Sequence, residues 1–155
     1  MKKLNLILST LMVLTIVFAL AGCSPKTPTT AENFTETMEK ADFEVTDVTE
    51  TTDSNGLATA IIVATKDDLK LEFWELTDSE TADDIFYQNK SNFTDSHPVQ
   101  TMSKSTTYQN YDYYSFLSDG DFHLITRIDN TMLYCEIDES DKDEILELVK
   151  ELGYR

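Results

Sequence analysis

Residues 108–138, which read YQNYDYYSFLSDGDFHLITRIDNTMLYCEID, decide the fold of this chain. They contain three runs rich in β-branched and aromatic side chains, which favour strands. The runs are separated by Asp119-Gly120 and Asp129-Asn130, two pairs typical of two-residue hairpin turns. The stretch therefore predicts three consecutive antiparallel strands, over residues 108–118, 121–128 and 131–137.

Turns of two residues also fix which residues of the three strands face each other. Counting outward from the turns places Leu117 opposite Phe122 and Phe122 opposite Ile137, on what we take as the core face. Cys135 falls on the same face, so we interpret it as a small buried hydrophobic residue rather than a reactive thiol. A nucleophilic pair of Cys135 and His123 is not expected, because the count puts them on opposite faces.

The other face of these strands carries Asp112 across from Arg127, a charge pair that supports the counted register. The solvent face of an antiparallel sheet is usually polar, yet this one is aromatic. Together with one residue of an earlier predicted strand, it supplies a candidate binding face: Trp74, Tyr114, Phe116, His123 and Tyr134. Either a helix, a long loop or a second chain covers these side chains, or they form a recognition surface.

The rest of the chain adds further strands and three helices. Apolar runs predict strands over residues 43–48, 57–64, 69–76 and 99–106. Helices are predicted after an N-cap at Thr30, after a capping box at Thr77–Glu80, and from Asp141 to Leu152 between Ser140 and Gly153. The resulting order, α-βββ-α-ββββ-α, predicts an α+β fold: a single antiparallel sheet of about six or seven strands with about three helices packed on it.

The N-terminus has the features of a secretory signal. Lys2 and Lys3 precede residues 4–20, which carry no charge. Leu20-Ala21-Gly22-Cys23 then resembles the lipobox of bacterial lipoproteins at all four positions. The resemblance implies that Leu20, Ala21 and Gly22 direct processing and that Cys23 becomes the first mature residue, carrying a diacylglycerol thioether. An uncleaved span over residues 4–20 is the alternative, and it places the domain on the same side of the membrane.

This resemblance implies a location and a division of the chain. We expect residues 1–22 to be the signal peptide, 23–30 a lipidated tether and 31–155 a single domain at the outer face of the cytoplasmic membrane. The domain resembles small lipoprotein domains of Gram-positive bacteria in phrases such as Leu71-Glu72-Phe73-x-Glu75-Leu76 and Arg127-Ile128-Asp129-Asn130-Thr131. That resemblance implies no activity.

The charge of the chain excludes two classes of partner. Without the predicted signal there are 10 basic and 29 acidic residues, a net charge of −19. This excess argues against nucleic acid, whose phosphates require a basic surface, and against lying flat on an anionic bilayer. Solubility is the simplest role of the charge.

Catalytic and metal-binding patterns are weak. His97 and His123 are the two histidines, and His123 opposite Glu136 is either an acid/base pair or a plain cross-strand contact. Residues 138–144 include five carboxylates but lack the spacing and central glycine of a calcium loop. Acids at a helix start favour its dipole without an ion, so we interpret this cluster as a helix start, with calcium binding as the alternative. We expect no cofactor, no metal site and no enzymatic activity.

The sequence therefore predicts a lipid-anchored, extracytoplasmic, non-catalytic domain that binds a ligand or a partner through its aromatic sheet face. The second hypothesis is a structural or accessory subunit of a membrane or cell-envelope assembly, docked through the same face. A hydrolase is the third, and it requires a cleft that gathers His123, Glu136 and another carboxylate.

Overall fold

A seven-stranded antiparallel sheet organises residues 24–155, which are the residues that the computed structural model describes. The strands are β1 (Glu44–Asp47), β2 (Ala58–Lys66), β3 (Leu69–Leu76), β4 (Thr101–Tyr108), β5 (Tyr111–Ser118), β6 (Asp121–Ile128) and β7 (Thr131–Asp138). The helices are α1 (Ala31–Lys40), α2 (Thr49–Thr52), α3 (Ser79–Ser96) and α4 (Lys142–Glu151), with a 3₁₀ turn at Glu139–Asp141. The predicted α+β class, with helices on one antiparallel sheet, is confirmed.

The sheet consists of two meanders that meet in its middle. The strand order is β1-β2-β3-β7-β6-β5-β4, so β3 of the first meander pairs with β7, the last strand of the second. At this junction Trp74 lies opposite Met132 and Glu72 lies opposite Tyr134. The junction therefore brings Trp74 and Tyr134 onto neighbouring strands and onto one face.

The register predicted for β5, β6 and β7 is confirmed. Leu117 faces Phe122, and Phe122 faces Ile137, as counting from the turns requires. Asp119 and Gly120 both have positive φ, 55° and 99°, as expected for the primed turn that matches strand twist.

Several strand bounds and one helix differ from the prediction. β4 spans 101–108 rather than 99–106, and β2 spans 58–66 rather than 57–64. β5 begins at Tyr111 rather than at residue 108, because Gln109-Asn110 forms another tight turn after β4. Helix α2 was not predicted at all. The backbone N–H of Thr49, the first residue of this helix, donates to the Asp47 carboxylate at 2.9 Å. This local Asx bond starts the helix, although the segment has no apolar periodicity from which a helix could be predicted.

The predicted helix caps are confirmed at one helix and differ at two. Thr30 caps α1 as predicted, because its side chain accepts a backbone N–H of the first turn. Helix α3 is capped by Asp78, whose carboxylate accepts at 2.8 Å, and not by Thr77. Ser140 does not cap α4; it lies inside the 3₁₀ turn, and its N–H donates to Asp138.

Helices α1 and α4 cover one face of the sheet. Phe34 of α1 stacks on Phe73 of β3 with ring centroids 5.2 Å apart. The C-terminus closes this core, since the Tyr111 hydroxyl donates to the backbone oxygen of Tyr154 at 2.7 Å. Cys135 is fully buried here, which confirms its interpretation as a core residue.

Helix α3 lies across the centre of the other face. Its apolar residues pack on a second core whose buried members are Leu76, Ala82, Phe86, Phe93, Tyr114, Phe116, Ile125 and Met132. All eight residues of β5 are buried although successive side chains point to opposite faces. The sheet is therefore covered on both sides at β5, and the aromatic character of its second face is largely that of a core.

The chain enters the domain at Lys26. The Lys26 backbone N–H donates to the Asn110 side chain at 3.1 Å, and the Asn110 amide returns a bond to the Lys26 carbonyl at 2.8 Å. The Lys26 ammonium donates to the carbonyl of Gly153 at 2.8 Å. Only residues 24 and 25 of the predicted tether precede this attachment within the described part of the chain. The predicted signal peptide with Leu20, Ala21 and Gly22, and the predicted lipidation residue Cys23, lie outside the described residues.

Candidate functional site

The five residues of the predicted binding face separate into two groups. Tyr114, Phe116 and His123 are buried beneath α3, with 5%, 1% and 1% of their surface exposed. Trp74 and Tyr134 are half-buried beside the helix, where β3 meets β7. A recognition surface made of all five side chains would need α3 to move, whereas Trp74 and Tyr134 are accessible in the structure as it stands.

Trp74 and Tyr134 line a pocket between α3 and the sheet. Its volume is about 150 Å³, and its wall consists of Glu72, Trp74, Ile85, Asn89, Ile125, Met132 and Tyr134. Ile125 and Met132 are buried and form the floor on β6 and β7, while Ile85 and Asn89 come from successive turns of α3. The lining is mainly apolar with a few polar groups, which is the usual composition of a small-molecule site.

The polar groups at this pocket are held in place by neighbours. The Trp74 indole N–H donates to the Glu72 carboxylate at 3.0 Å, and Lys70 pairs with the same carboxylate at 2.8 Å. The Asn89 amide donates to the Ile85 carbonyl at 2.8 Å. The bond to Glu72 orients the Trp74 ring, so that the apolar surface of the ring faces the pocket.

Tyr134 is held in the pocket by a stacking contact with α3. Its ring stacks on Phe93 of α3, with centroids 5.6 Å apart and an interplanar angle of 18°. Burial, with smaller contributions from Glu136 and Glu72, raises the pKa of Tyr134 to about 12. The phenol is therefore neutral at every physiological pH and available as a hydrogen-bonding group rather than as a base.

His123 lies at the other end of the same face, in a cluster of rings. It stacks on Phe116 with centroids 4.5 Å apart and 7° between the planes, and the His97 ring lies 4.4 Å away. Its Nδ1 is 3.7 Å from the Glu136 carboxylate, with Asp121 alongside. Burial lowers the pKa of His123, and the nearby Glu136 opposes that shift only in part. The histidine is therefore neutral near pH 7.

The structure keeps Cys135 away from this histidine. Cys135 faces the core under α4, on the face of the sheet opposite to His123, as the counted register predicted. Burial raises the pKa of the Cys135 thiol far above its usual range, so the nucleophilic thiolate is suppressed. The hydrolase hypothesis requires a second carboxylate beside Glu136, and the structure places Asp121 there. Both carboxylates are exposed rather than gathered in a cleft.

An ion cluster around the buried Arg127 side chain was predicted only in part from the sequence. The predicted pair forms, because the guanidinium Nε of Arg127 donates to the Asp112 carboxylate at 3.1 Å. Nη2 of Arg127 also donates to the carboxylate of Asp83, on α3, at 2.6 Å. The bonds fix α3 onto β5 and β6, which holds the helical wall of the pocket in position.

Some of the acids over residues 138–144 have structural partners. Asp138 caps the 3₁₀ turn, and Glu144 pairs with Lys66 at 2.9 Å. These contacts stabilise the turn before α4 and bind α4 to β2.

Comparisons with protein-family models, with curated proteins and with solved structures found no match to this chain. No helix within residues 24–155 is both long and apolar enough to cross a membrane. Any functional conclusion therefore depends on the chain's own residues and their geometry.

Proposed function

We propose that this chain is a lipid-anchored, non-catalytic binding domain that takes a small apolar or aromatic group into the Trp74–Tyr134 pocket. The main support for the proposal is that the half-buried rings of Trp74 and Tyr134 line an apolar cavity at the β3–β7 junction. Rings with polar tips are favoured where one end of a contact is apolar and the other is wet.

The size of the pocket limits the ligand. An engineered protein cavity of about 150 Å³ accommodates one benzene molecule. The pocket described here has about that volume. It therefore fits one aromatic ring or a short branched alkyl group, such as the tip of a larger ligand or one side chain of a partner.

The proposed location depends on the N-terminal residues. Leu20-Ala21-Gly22-Cys23 supports lipidation at Cys23 and retention at the outer face of the cytoplasmic membrane of a Gram-positive bacterium. The strong negative charge supports a domain that stands off anionic lipid rather than lying on it. The ligand is then extracytoplasmic.

A second candidate function is that of an accessory subunit of a membrane or cell-envelope assembly. Val99 and Met102, beside and on the edge strand β4, expose 75% and 73% of their surface. Large exposed apolar side chains at a strand edge favour contact with another protein. In this alternative the pocket receives a side chain of the same partner.

The pocket can be tested directly because Trp74 is the single tryptophan of the chain. Residues 24–155, which contain every described element, would be titrated with cyclohexanol while tryptophan emission is recorded. A saturable shift is expected in the wild type. Ile85→Phe, which fills the pocket from α3, should weaken the response at least tenfold. Leu57→Phe, an exposed substitution in the loop before β2, is the matched control and should leave it unchanged.

The proposal fails if tryptophan emission changes linearly with cyclohexanol, as for a bulk solvent effect. It also fails if Ile85→Phe and Leu57→Phe respond alike. The accessory-subunit alternative is supported instead if cross-linking in cells captures a partner through Val99 or Met102 and Ile85→Phe, which fills the pocket, reduces that capture.

A further inference from the structure

His123 is a buried histidine whose ring has no hydrogen-bonding partner within residues 24–155. Its surface is 1% exposed, and neither ring nitrogen bonds to any group of the described residues. Buried polar atoms in proteins are nearly always paired, and an unpaired one points to strain, to a bound water or to an ion. Stacking on Phe116 and an edge contact with Phe93 hold the ring in place without using either nitrogen.

Two carboxylates converge on this ring. Asp121 lies two residues earlier on β6 and so shares the face of His123, while Glu136 lies directly opposite on β7. One ligand atom from each of the three residues falls within 4.8 Å of the others. The shortest described separation is 3.7 Å, between Nδ1 of His123 and Oε2 of Glu136.

Helix α3 supplies a second histidine beside the group. His97, at the C-terminal end of α3, places its ring 4.4 Å from that of His123. Its Nδ1 lies 3.2 Å from the backbone oxygen of Phe93. A backbone carbonyl bonded to one ring nitrogen is the outer contact that orients metal-binding histidines, because it leaves the other nitrogen with a lone pair.

We propose that Asp121, His123 and Glu136 form a binding site for a divalent transition metal ion of the zinc class, with a fourth coordination position beside the His97 ring. A mixed set of imidazole and carboxylate ligands suits zinc, whereas calcium and magnesium prefer oxygen ligands alone. Tetrahedral zinc with these ligands needs donor atoms about 3.3 Å apart. Both carboxylates are exposed, so their rotation achieves that contraction without moving the strands.

The surroundings of His123 favour the form that binds metal. A ligating imidazole must be neutral, and burial lowers the pKa of His123. The groups facing this ring are Glu136 and Asp121, whose charges favour a cation, and His97, which is the other titratable neighbour. A bound metal ion would accept the lone pair of one unpaired His123 nitrogen and neutralise the charges of the Asp121 and Glu136 carboxylates.

The test is a zinc titration of the full-length chain in detergent, in competition with a chromophoric zinc chelator. Wild type is expected to withdraw one equivalent of zinc. Glu136→Gln and Asp121→Asn should each weaken binding at least tenfold, because removing a ligand exceeds the 10–100-fold effect of losing an outer contact. Glu44→Gln is the matched control: it removes an exposed carboxylate from β1, far along the sheet, and should bind zinc as wild type does.

His123→Phe separates metal binding from folding. Phenylalanine retains the stacking on Phe116 and removes both unpaired nitrogens, so the variant should fold and show no zinc-dependent rise in melting temperature. Equal zinc affinity for wild type, His123→Phe and Glu136→Gln would overturn the proposal and leave ordered water as the partner of His123. Equal weakening by Glu44→Gln would also overturn it, because zinc would then be attracted by overall charge.

Discussion

Replacing Asp112 with alanine is expected to destabilise the domain severely, although Asp112 lies outside the proposed sites. Asp112 is 1% exposed and accepts bonds from both Nε and Nη2 of Arg127. Arg127 is itself 7% exposed, so its charge has little access to water. Among the described residues, Asp112→Ala leaves the buried guanidinium with Asp83 and the carbonyl of Asp129 as its partners.

The magnitude follows from the burial of the two partners. Removing one member of a buried ion pair costs about 3–5 kcal/mol, and Asp83 offsets part of the lost charge. We therefore expect Asp112→Ala to lower the free energy of unfolding by about 3 kcal/mol. Asp83 bonds the same guanidinium, but its side chain is 44% exposed. Asp83→Ala should cost only about 0.5 kcal/mol, as exposed pairs do.

Urea unfolding of residues 24–155, followed by far-UV circular dichroism, measures both values. A double substitution, Asp112→Leu with Arg127→Met, should recover most of the loss, because replacing a whole buried pair with apolar groups is often neutral. Similar losses for Asp83→Ala and Asp112→Ala would refute the reasoning from burial. A double variant as unstable as Asp112→Ala would show that shape, rather than the uncompensated charge, causes the loss.

Three further predictions concern single side chains. Because burial raises the pKa of Cys135, its thiol should react with a disulfide reagent at pH 8 only after unfolding; rapid reaction of the native protein would contradict that burial. Burial lowers the pKa of His123 below its ordinary value of 6.5, so the unfolded chain binds a proton more readily than the folded one. The free energy of unfolding should therefore be highest above pH 6.5 and should decrease as the pH falls through 6.5 and below. Urea titrations across this range should show the decline, and His123→Phe should lack that contribution. Cys23→Ser should move the protein from the membrane fraction to the medium and abolish labelling with radioactive palmitate; unchanged fractionation would argue for the uncleaved span.

The parts of the fold that depend on local chemistry could be predicted from the sequence. Asp119-Gly120 requires a tight turn, and alternation on either side then determines the register as far as Cys135. Thr30 likewise marks a helix start because its side chain satisfies a free N–H. Helix α2 was missed because its four residues carry no apolar periodicity and depend on one Asx bond from Asp47.

The candidate sites could be predicted only in part, because they depend on contacts between distant segments. Trp74 and Tyr134 were selected as aromatic, but no turn connects β3 to β7, so their pocket was not foreseeable. The sequence likewise allowed α3 to cover either face of the sheet. Its actual position buries Phe116 and brings His97 onto His123, a contact that no local pattern indicates.

The attachment of Lys26 has a consequence for how the domain would be oriented on a cell. Three Cα steps separate Cys23 from Lys26, so a lipid on Cys23 would lie within about 11 Å of that attachment. Lys26 is bound at the end of the sheet that contains the Asn110 turn. The Asp119-Gly120 turn lies at the opposite end, about 25 Å further along β6. The domain would then have a proximal and a distal pole, and His123, three residues beyond that turn, would be carried near the distal one.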